Sequence, residues 1–218
     1  TGRADACVDC AEAKARQKNV SKIREEKSTI KGHRMYLDIS SVKEVSTGGA
    51  KYWALIVDEA TDMCWSLFLG TKKSLKEKGL KFFINMKNVD GIEVQTIRCD
   101  NAGENKELER AMINNGFKTR FEYTAADTPQ QNGVVERKFA TLFGRIRAIM
   151  IHCRCPETLK YKLWAEGANI TTLLDNILVT NSNDLSPFEK FYDRQPTFLP
   201  KLRTFGEIGV VLDRQKMK

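Results

Sequence analysis

Near its start the chain carries three short apolar blocks, and then the hydrophobic period changes. "RMYLDISSV" (34–42), "KYWALIVDEA" (51–60) and "DMCWSLFLG" (62–70) are rich in β-branched and aromatic residues and are joined by short turns, one of them "STGG". Such runs predict strands, and the closeness of the second and third predicts an antiparallel hairpin. Over 73–89 the period becomes helical, with Leu75, Leu80, Phe83 and Ile84 on one face and lysines elsewhere. "EVQTIRCD" (93–100) predicts a fourth strand, "ENKELERAMINNG" (104–116) a helix closed by Asn-Asn-Gly, and "KTRFEY" (118–123) a fifth strand. A long helix over roughly 131–152 places Val135, Phe139, Leu142, Ile146 and Ile149 at helical spacing, and another helix is expected over about 157–178. The last stretch, containing "SPFEKFYDRQP" (186–196), reads as irregular.

Three antiparallel strands followed by helix, strand, helix, strand, helix is a specific order. Strands reached through crossover helices lie parallel to the strand they join, with helices covering the faces. The expected architecture is therefore an α/β fold built on a five-stranded mixed sheet flanked by helices. No internal repeat or low-complexity segment interrupts it.

Composition narrows the function classes. Apolar content of 41% in 218 residues is enough for a sizeable core, and no stretch has the apolar length that a membrane span needs. Lys and Arg exceed Asp and Glu by 36 to 28, for a net charge of +8 and a pI near 9.2. That surplus favours a polyanionic partner. The basic charge is concentrated from Ala11 to Arg34, where eight Lys or Arg face three acids in a polar run that reads as a solvated linker. No secretory signal is visible, the chain begins with Thr like a piece of something longer, and six scattered cysteines suit reduced thiols better than a disulfide framework. Cys64 and Cys99 fall in strands and are expected to be packed thiols; "HCRC" (152–155) reads as a helix end.

Three acids stand out on this frame. Asp38 lies midway in the first strand, where an unpaired charge is costly to bury. Asp100 ends the fourth strand, at the carboxyl edge where α/β sheets place their sites. Glu136 opens the long helix on the flank of its apolar stripe. If strands one and four are neighbours, all three carboxylates converge. At about 4 Å each pair would repel by roughly 4 kcal/mol with an effective dielectric near 20. Such a cluster persists by protonating a member or by binding a hard cation through oxygen ligands, and with no His in the pattern Mg²⁺ or Mn²⁺ fits best. Taken singly, Asp38 is an edge or turn residue and Glu136 a favourable charge at the positive end of a helix; Asp58 and Asp62 read as turn and cap residues.

The same residues resemble a known family. Asp38, Asp100 and Glu136, with 35 residues between the last two, resemble the D,D(35)E triad of retroviral and retrotransposon integrases. "RCDNAGEN" (98–105) is similar to the motif around the second Asp. "TPQQNGVVERK" (128–138) is very similar to the glutamate motif of the copia-type branch, and "LWAEGANITTLLDN" (163–176) and "SPFEKFYDRQPTFLPKLRTFGEIGV" (186–210) resemble its continuation. The resemblance implies an RNase H-like fold and a division into residues 1–30 (the tail of an N-terminal His-His-Cys-Cys zinc module plus a basic linker), 31–180 (the integrase catalytic core) and 181–218 (a C-terminal extension).

It also implies a polynucleotidyl transferase that inserts retrotransposon DNA into double-stranded target DNA, with two Mg²⁺ or Mn²⁺ ions held by Asp38, Asp100 and Glu136. Asn101, Gln130, Asn132, Arg137 and Lys138 flank the triad as candidate DNA contacts. Lysines that retroviral relatives carry four and seven residues after the glutamate are replaced here by Ala140 and Phe143, and Ala102 stands where a Gly is usual. Cys7 and Cys10 form half of a zinc site whose histidines would lie upstream; Zn²⁺ is expected only if they are supplied. A homo-oligomer on DNA, no membrane association, and action in the nucleus after a cytoplasmic particle stage complete the expectation. Two alternatives remain open on the residues: a nuclease of the same fold that cuts without joining, and an element-derived domain that binds DNA or a partner without catalysis.

Overall fold

Five strands form one mixed sheet in the computed structural model, which describes residues 27–124, 133–179 and 185–207. β1 (Arg34–Ser41), β2 (Tyr52–Asp58) and β3 (Cys64–Leu69) make an antiparallel meander, and β4 (Thr96–Asp100) and β5 (Arg120–Thr124) run parallel to β1. The spatial order is β3-β2-β1-β4-β5, so the expected mixed sheet and the adjacency of the first and fourth strands are both observed. β2 is nearly all apolar because it lies inside the sheet with helices over both faces.

Among the described residues six helices accompany the sheet: α1 (Leu75–Val89), α2 (Gly103–Asn114), α3 (Gly133–His152), the single turn α4 (Glu157–Lys160), α5 (Trp164–Ile177) and α6 (Pro187–Tyr192), with 3-10 turns at Lys72–Ser74 and Leu199–Lys201. Strand alternation sorts the apolar residues into two cores. Met35, Leu37, Ala54, Ile56, Ile97 and Cys99 face one way and pack with Leu75, Phe83 and Met86 of α1, Leu108 and Met112 of α2 and Phe188 and Phe191 of α6. Tyr36, Trp53, Leu55, Val57 and Cys64 face the other way and pack with Val135, Phe139, Leu142, Ile146 and Met150 of α3 and Trp164, Ala165 and Ala168 of α5. The Trp53 ring is the pivot of this second layer, meeting Phe139 edge-on at 5.0 Å and Phe143 at 5.1 Å.

Two boundaries differ from the sequence expectation. The helix expected over 157–178 is broken at Tyr161–Leu163 into α4 and α5. No Gly or Pro marks that break. The β1–β2 loop makes it: Thr47 N–H donates to the Lys162 carbonyl at 2.8 Å, and the Trp164 indole donates to the Glu44 carbonyl at 3.0 Å. The stretch 186–196, expected to be irregular, contains α6. Ser186 and Glu189 close a reciprocal capping box and Pro187 pre-sets the first turn, local chemistry that offsets the shortness of the helix. Asp58 is the expected turn residue: buried, it accepts from Thr61 N–H at 3.0 Å and from Gly32 N–H at 2.8 Å, which also ties the turn to the entry of β1.

Candidate active site

The carboxylate site is laid out by strand register. β1 and β4 pair in parallel, with Tyr36 opposite Arg98. Two residues further along, on the same sheet face, come Asp38 and Asp100. Asp38, midway along β1, therefore stands level with Asp100 at the carboxyl end of the neighbouring parallel strand β4, the edge where a site on an open α/β sheet belongs. Glu136 comes from the third element. Val135, fully buried against that same sheet face, anchors the first turn of α3, and the next residue, Glu136, is exposed beside it.

Electrostatics shows that Asp38 senses the other two acids. Partial burial raises the Asp38 carboxyl above its ordinary value; the charges of Asp100 and Glu136 raise it further, while the Ile39 N–H and the Lys72 ammonium oppose them. Each strand carboxylate also has a protein donor. Asp38 accepts from Ile39 N–H at 2.8 Å, and Asp100 accepts from the Asn105 amide and from Ala102 N–H at 3.4 Å. Among the described residues, no three His, Cys, Asp or Glu side chains gather closely enough to hold a metal ion. Convergence is thus electrostatic rather than a closed ligand sphere. The donor set, all carboxylate oxygen, is the kind that hard divalent cations take.

The candidate DNA contacts divide. Asn101 and Arg137 are exposed beside Asp100 and Glu136. Lys138 turns inward: its Nζ lies 2.7 Å from Asp175 of α5, its side chain is only 18% exposed, and Arg145 grips the other oxygen of the same carboxylate. Burial alone would lower the Lys138 pKa, but neighbouring Cys64 and Asp175 reverse that and raise it. The ammonium is thus engaged within the fold by Asp175. Gln130, Asn132, Cys7 and Cys10 lie outside the described residues. Phe143 packs on Trp53, and Ala140 is exposed. Cys64 and Cys99 are fully buried thiols, as expected, and burial pushes Cys64 up to about 12. α3 ends at His152, so "HCRC" does mark a helix end.

Sequence reasoning missed several residues. Asn105 is 1% exposed, and its amide donates both to the carboxylate and, at 3.2 Å, to the backbone carbonyl of Asp100. Its place in the first turn after a strand-ending Asp was the available signal. Lys72 and Glu104, paired at 3.2 Å beside the acids, and Asp175 gave no sequence signal, because their partners are far away along the chain.

A retroviral integrase core has this architecture. The solved HTLV-2 integrase catalytic core domain, in complex with magnesium in a trimeric form, superposes with a TM-score of 0.53 over 73% of this chain and 96% of that one, at 12% identity. The fold is accordingly RNase H-like. Among curated proteins, the chain is 30% identical over 145 residues (65% of it) to the retrovirus-related Pol polyprotein of transposon TNT 1-94 from Nicotiana tabacum. It is 28% identical over 205 residues (92% of it) to that of transposon RE1 from Arabidopsis thaliana, and 27% over 174 residues (79% of it) to that of RE2 from the same plant. It spans only 10–13% of the length of these polyproteins. No protein-family model matches. The chain is thus similar in sequence to retrotransposon Pol polyproteins and in fold to an integrase catalytic core, consistent with the copia type.

Proposed function

We propose that this chain is the catalytic core of a retrotransposon integrase, a polynucleotidyl transferase that joins element DNA to target DNA. The observation that carries the reading is the placing of Asp38 and Asp100 level on adjacent parallel strands, with Glu136 on the first turn of the helix over that face. In the reaction, the 3′-hydroxyl of an element end attacks a phosphate of target DNA, one phosphodiester bond replaces another, and no covalent enzyme intermediate forms. Asp38, Asp100 and Glu136 would hold two Mg²⁺ or Mn²⁺ ions, which supply in-line activation and neutralisation of the charge on the reacting phosphate; the magnesium bound by the HTLV-2 core supports that choice.

The other residues serve that arrangement. The Asn105 amide fixes the rotamer of Asp100, and the Lys138–Asp175–Arg145 cluster locks α3 to α5 so that Glu136 is presented from a rigid helix. Asn101 and Arg137 contact the DNA backbone, joined by Gln130 and Asn132 of the preceding segment. Lys138, expected to do likewise, acts through its hold on Asp175. Residues 31–180 form the catalytic unit. Cys7 and Cys10 complete a zinc site when upstream histidines are present. Work on paired DNA ends calls for a homo-oligomer, an expectation in keeping with the trimeric HTLV-2 core. Among the described residues no helix is long and apolar enough to cross a membrane, and the site of action is the nucleus, after a cytoplasmic particle stage.

The test is joining of a short duplex end to plasmid DNA in Mg²⁺ or Mn²⁺, comparing the chain with Glu136→Gln. Joining by the wild type and its loss, by more than about 10²-fold, in the variant is expected. Undiminished joining by Glu136→Gln would remove Glu136 from the triad, and metal-dependent cutting without joining would replace transferase by nuclease.

A further inference from the structure

Three carboxylates at one sheet edge repel a nucleic-acid backbone as well as each other, so a DNA phosphate entering the site needs a cation from the protein nearby. Lys72 stands in that place. It opens the 3-10 turn after β3, and its ammonium lies 3.2 Å from Glu104, four residues beyond Asp100 in the first turn of α2. It is also the cation that acts on the Asp38 carboxylate. The two partners are unequally buried: the Lys72 side chain is 49% exposed and that of Glu104 15%. The lysine is the half of the pair that can leave. An ion pair this open adds little to stability, so exchanging a carboxylate partner for a phosphate costs the fold little.

The surrounding charge is placed for a ligand rather than for the fold. Lys72, Lys73 and Lys76 are all exposed and crowd the start of α1, the end of a helix at which cations oppose the macrodipole. The first turn sets one acid, Glu77, against these three cations, and a cationic surplus that disfavours the helix is expected where function requires it. An approaching polyanion turns this arrangement favourable.

We propose that Lys72 binds the DNA phosphate backbone at the rim of the carboxylate site, and that Glu104 holds it in position until DNA displaces the pair. This rests on the reading of the chain as a DNA-joining core. Glu104 then acts as a competitor for Lys72, not as part of the carboxylate set, and the contact carries no base specificity.

The test is binding of a short labelled DNA duplex by fluorescence anisotropy across a salt series, for the chain, Lys72→Ala, Lys72→Arg and Glu104→Gln, with melting temperatures taken alongside. For Lys72→Ala, the slope of log K against log salt should fall by about 0.9, the loss of one phosphate contact, with binding weakened alike for unrelated sequences. Lys72→Arg should keep the wild-type slope, and Glu104→Gln should bind more tightly at every salt concentration. A wild-type slope and affinity in Lys72→Ala overturns the inference, and so does unchanged or weaker binding by Glu104→Gln. That second arm decides even if Lys72→Ala proves poorly folded. A wild-type chain that binds no DNA overturns the joining reading along with it, whereas DNA binding with an unchanged slope overturns this inference alone.

Discussion

Asp38 illustrates how a residue can be placed against the interest of the fold. Its carboxyl is raised by burial and by Asp100 and Glu136, so between the ordinary value of 3.8 and the raised one the native state binds more protons than the unfolded chain. Stability therefore falls as pH rises through that window. Asp38→Asn, which cannot ionise, should melt higher than the wild type at neutral pH, by roughly 2–4 °C if about 1 kcal/mol is recovered. The gain should shrink toward acid pH, and joining should be lost. Thermal melts at several pH values check the sign; a variant less stable at neutral pH would mean that the Ile39 N–H and Lys72 outweigh the repulsion. Asp175 is the opposite case. It is 5% exposed and holds both Lys138 and Arg145, so Asp175→Asn leaves two cations without their carboxylate. The expected cost is about 1–3 kcal/mol, below the range for a fully buried pair because Arg145 is 32% exposed and can reach water. Denaturant titration reads it directly.

At the scale of elements, the crossing of α3 and α5 determines how firmly Glu136 is presented. Gly167 lets the two helices approach: a Cβ there would lie 2.7 Å from Met150 Cε and 3.3 Å from Ile146 Cγ2. Gly167→Ala should be close to neutral, because the flexible end of Met150 can shift and Ala gains roughly 1 kcal/mol of helix propensity over Gly. Gly167→Val adds branched bulk to the same contact and should cost about 1–3 kcal/mol through overpacking, seen as a lower denaturation midpoint. The helices also show which element boundaries could be read in advance. α3 announced itself by the recurrence of Val135, Phe139, Leu142, Ile146 and Ile149; the first four are buried, whereas Ile149 is half-buried and Met150 takes the core place beside it. The α4–α5 break did not, since the Lys162 carbonyl leaves the helix for a partner 115 residues away.

Across the whole molecule, the sheet is held at its β4–β5 side by charge rather than by a second apolar layer. Glu122 of β5 receives Arg98 of β4 at 2.8 Å and Arg34 of β1 at 3.5 Å, along with Arg120 beside it. Burial would raise the Glu122 carboxyl, but Arg120 and Arg98 more than cancel that and hold it below its ordinary value of 4.5. Its contribution is thus fully present above 4.5 and is lost as pH falls through the lowered value. Glu122→Gln should be destabilised by about 1–3 kcal/mol at neutral pH, and the difference from wild type should close on acidification below 4.5. A difference independent of pH would show that packing, not charge, is what Glu122 supplies.

The amino-acid sequence by itself determined the element types and their order from β1 to α3. Period-2 and period-3.6 apolar patterns are local properties, as is the turn chemistry between them. That order, through the rule for crossover connections, also determined that β4 lies parallel to β1 and brought Asp38 and Asp100 within sight of each other. Tertiary structure alone decided the rest. The sequence around Lys138 could not show that its ammonium would meet Asp175, 37 residues on, instead of solvent. Nor could it show that Phe143 would pack on Trp53 or that Lys72 would stand beside Glu104. Periodicity tells which side of an element is buried; the partner of a charge is fixed only when distant elements are brought together.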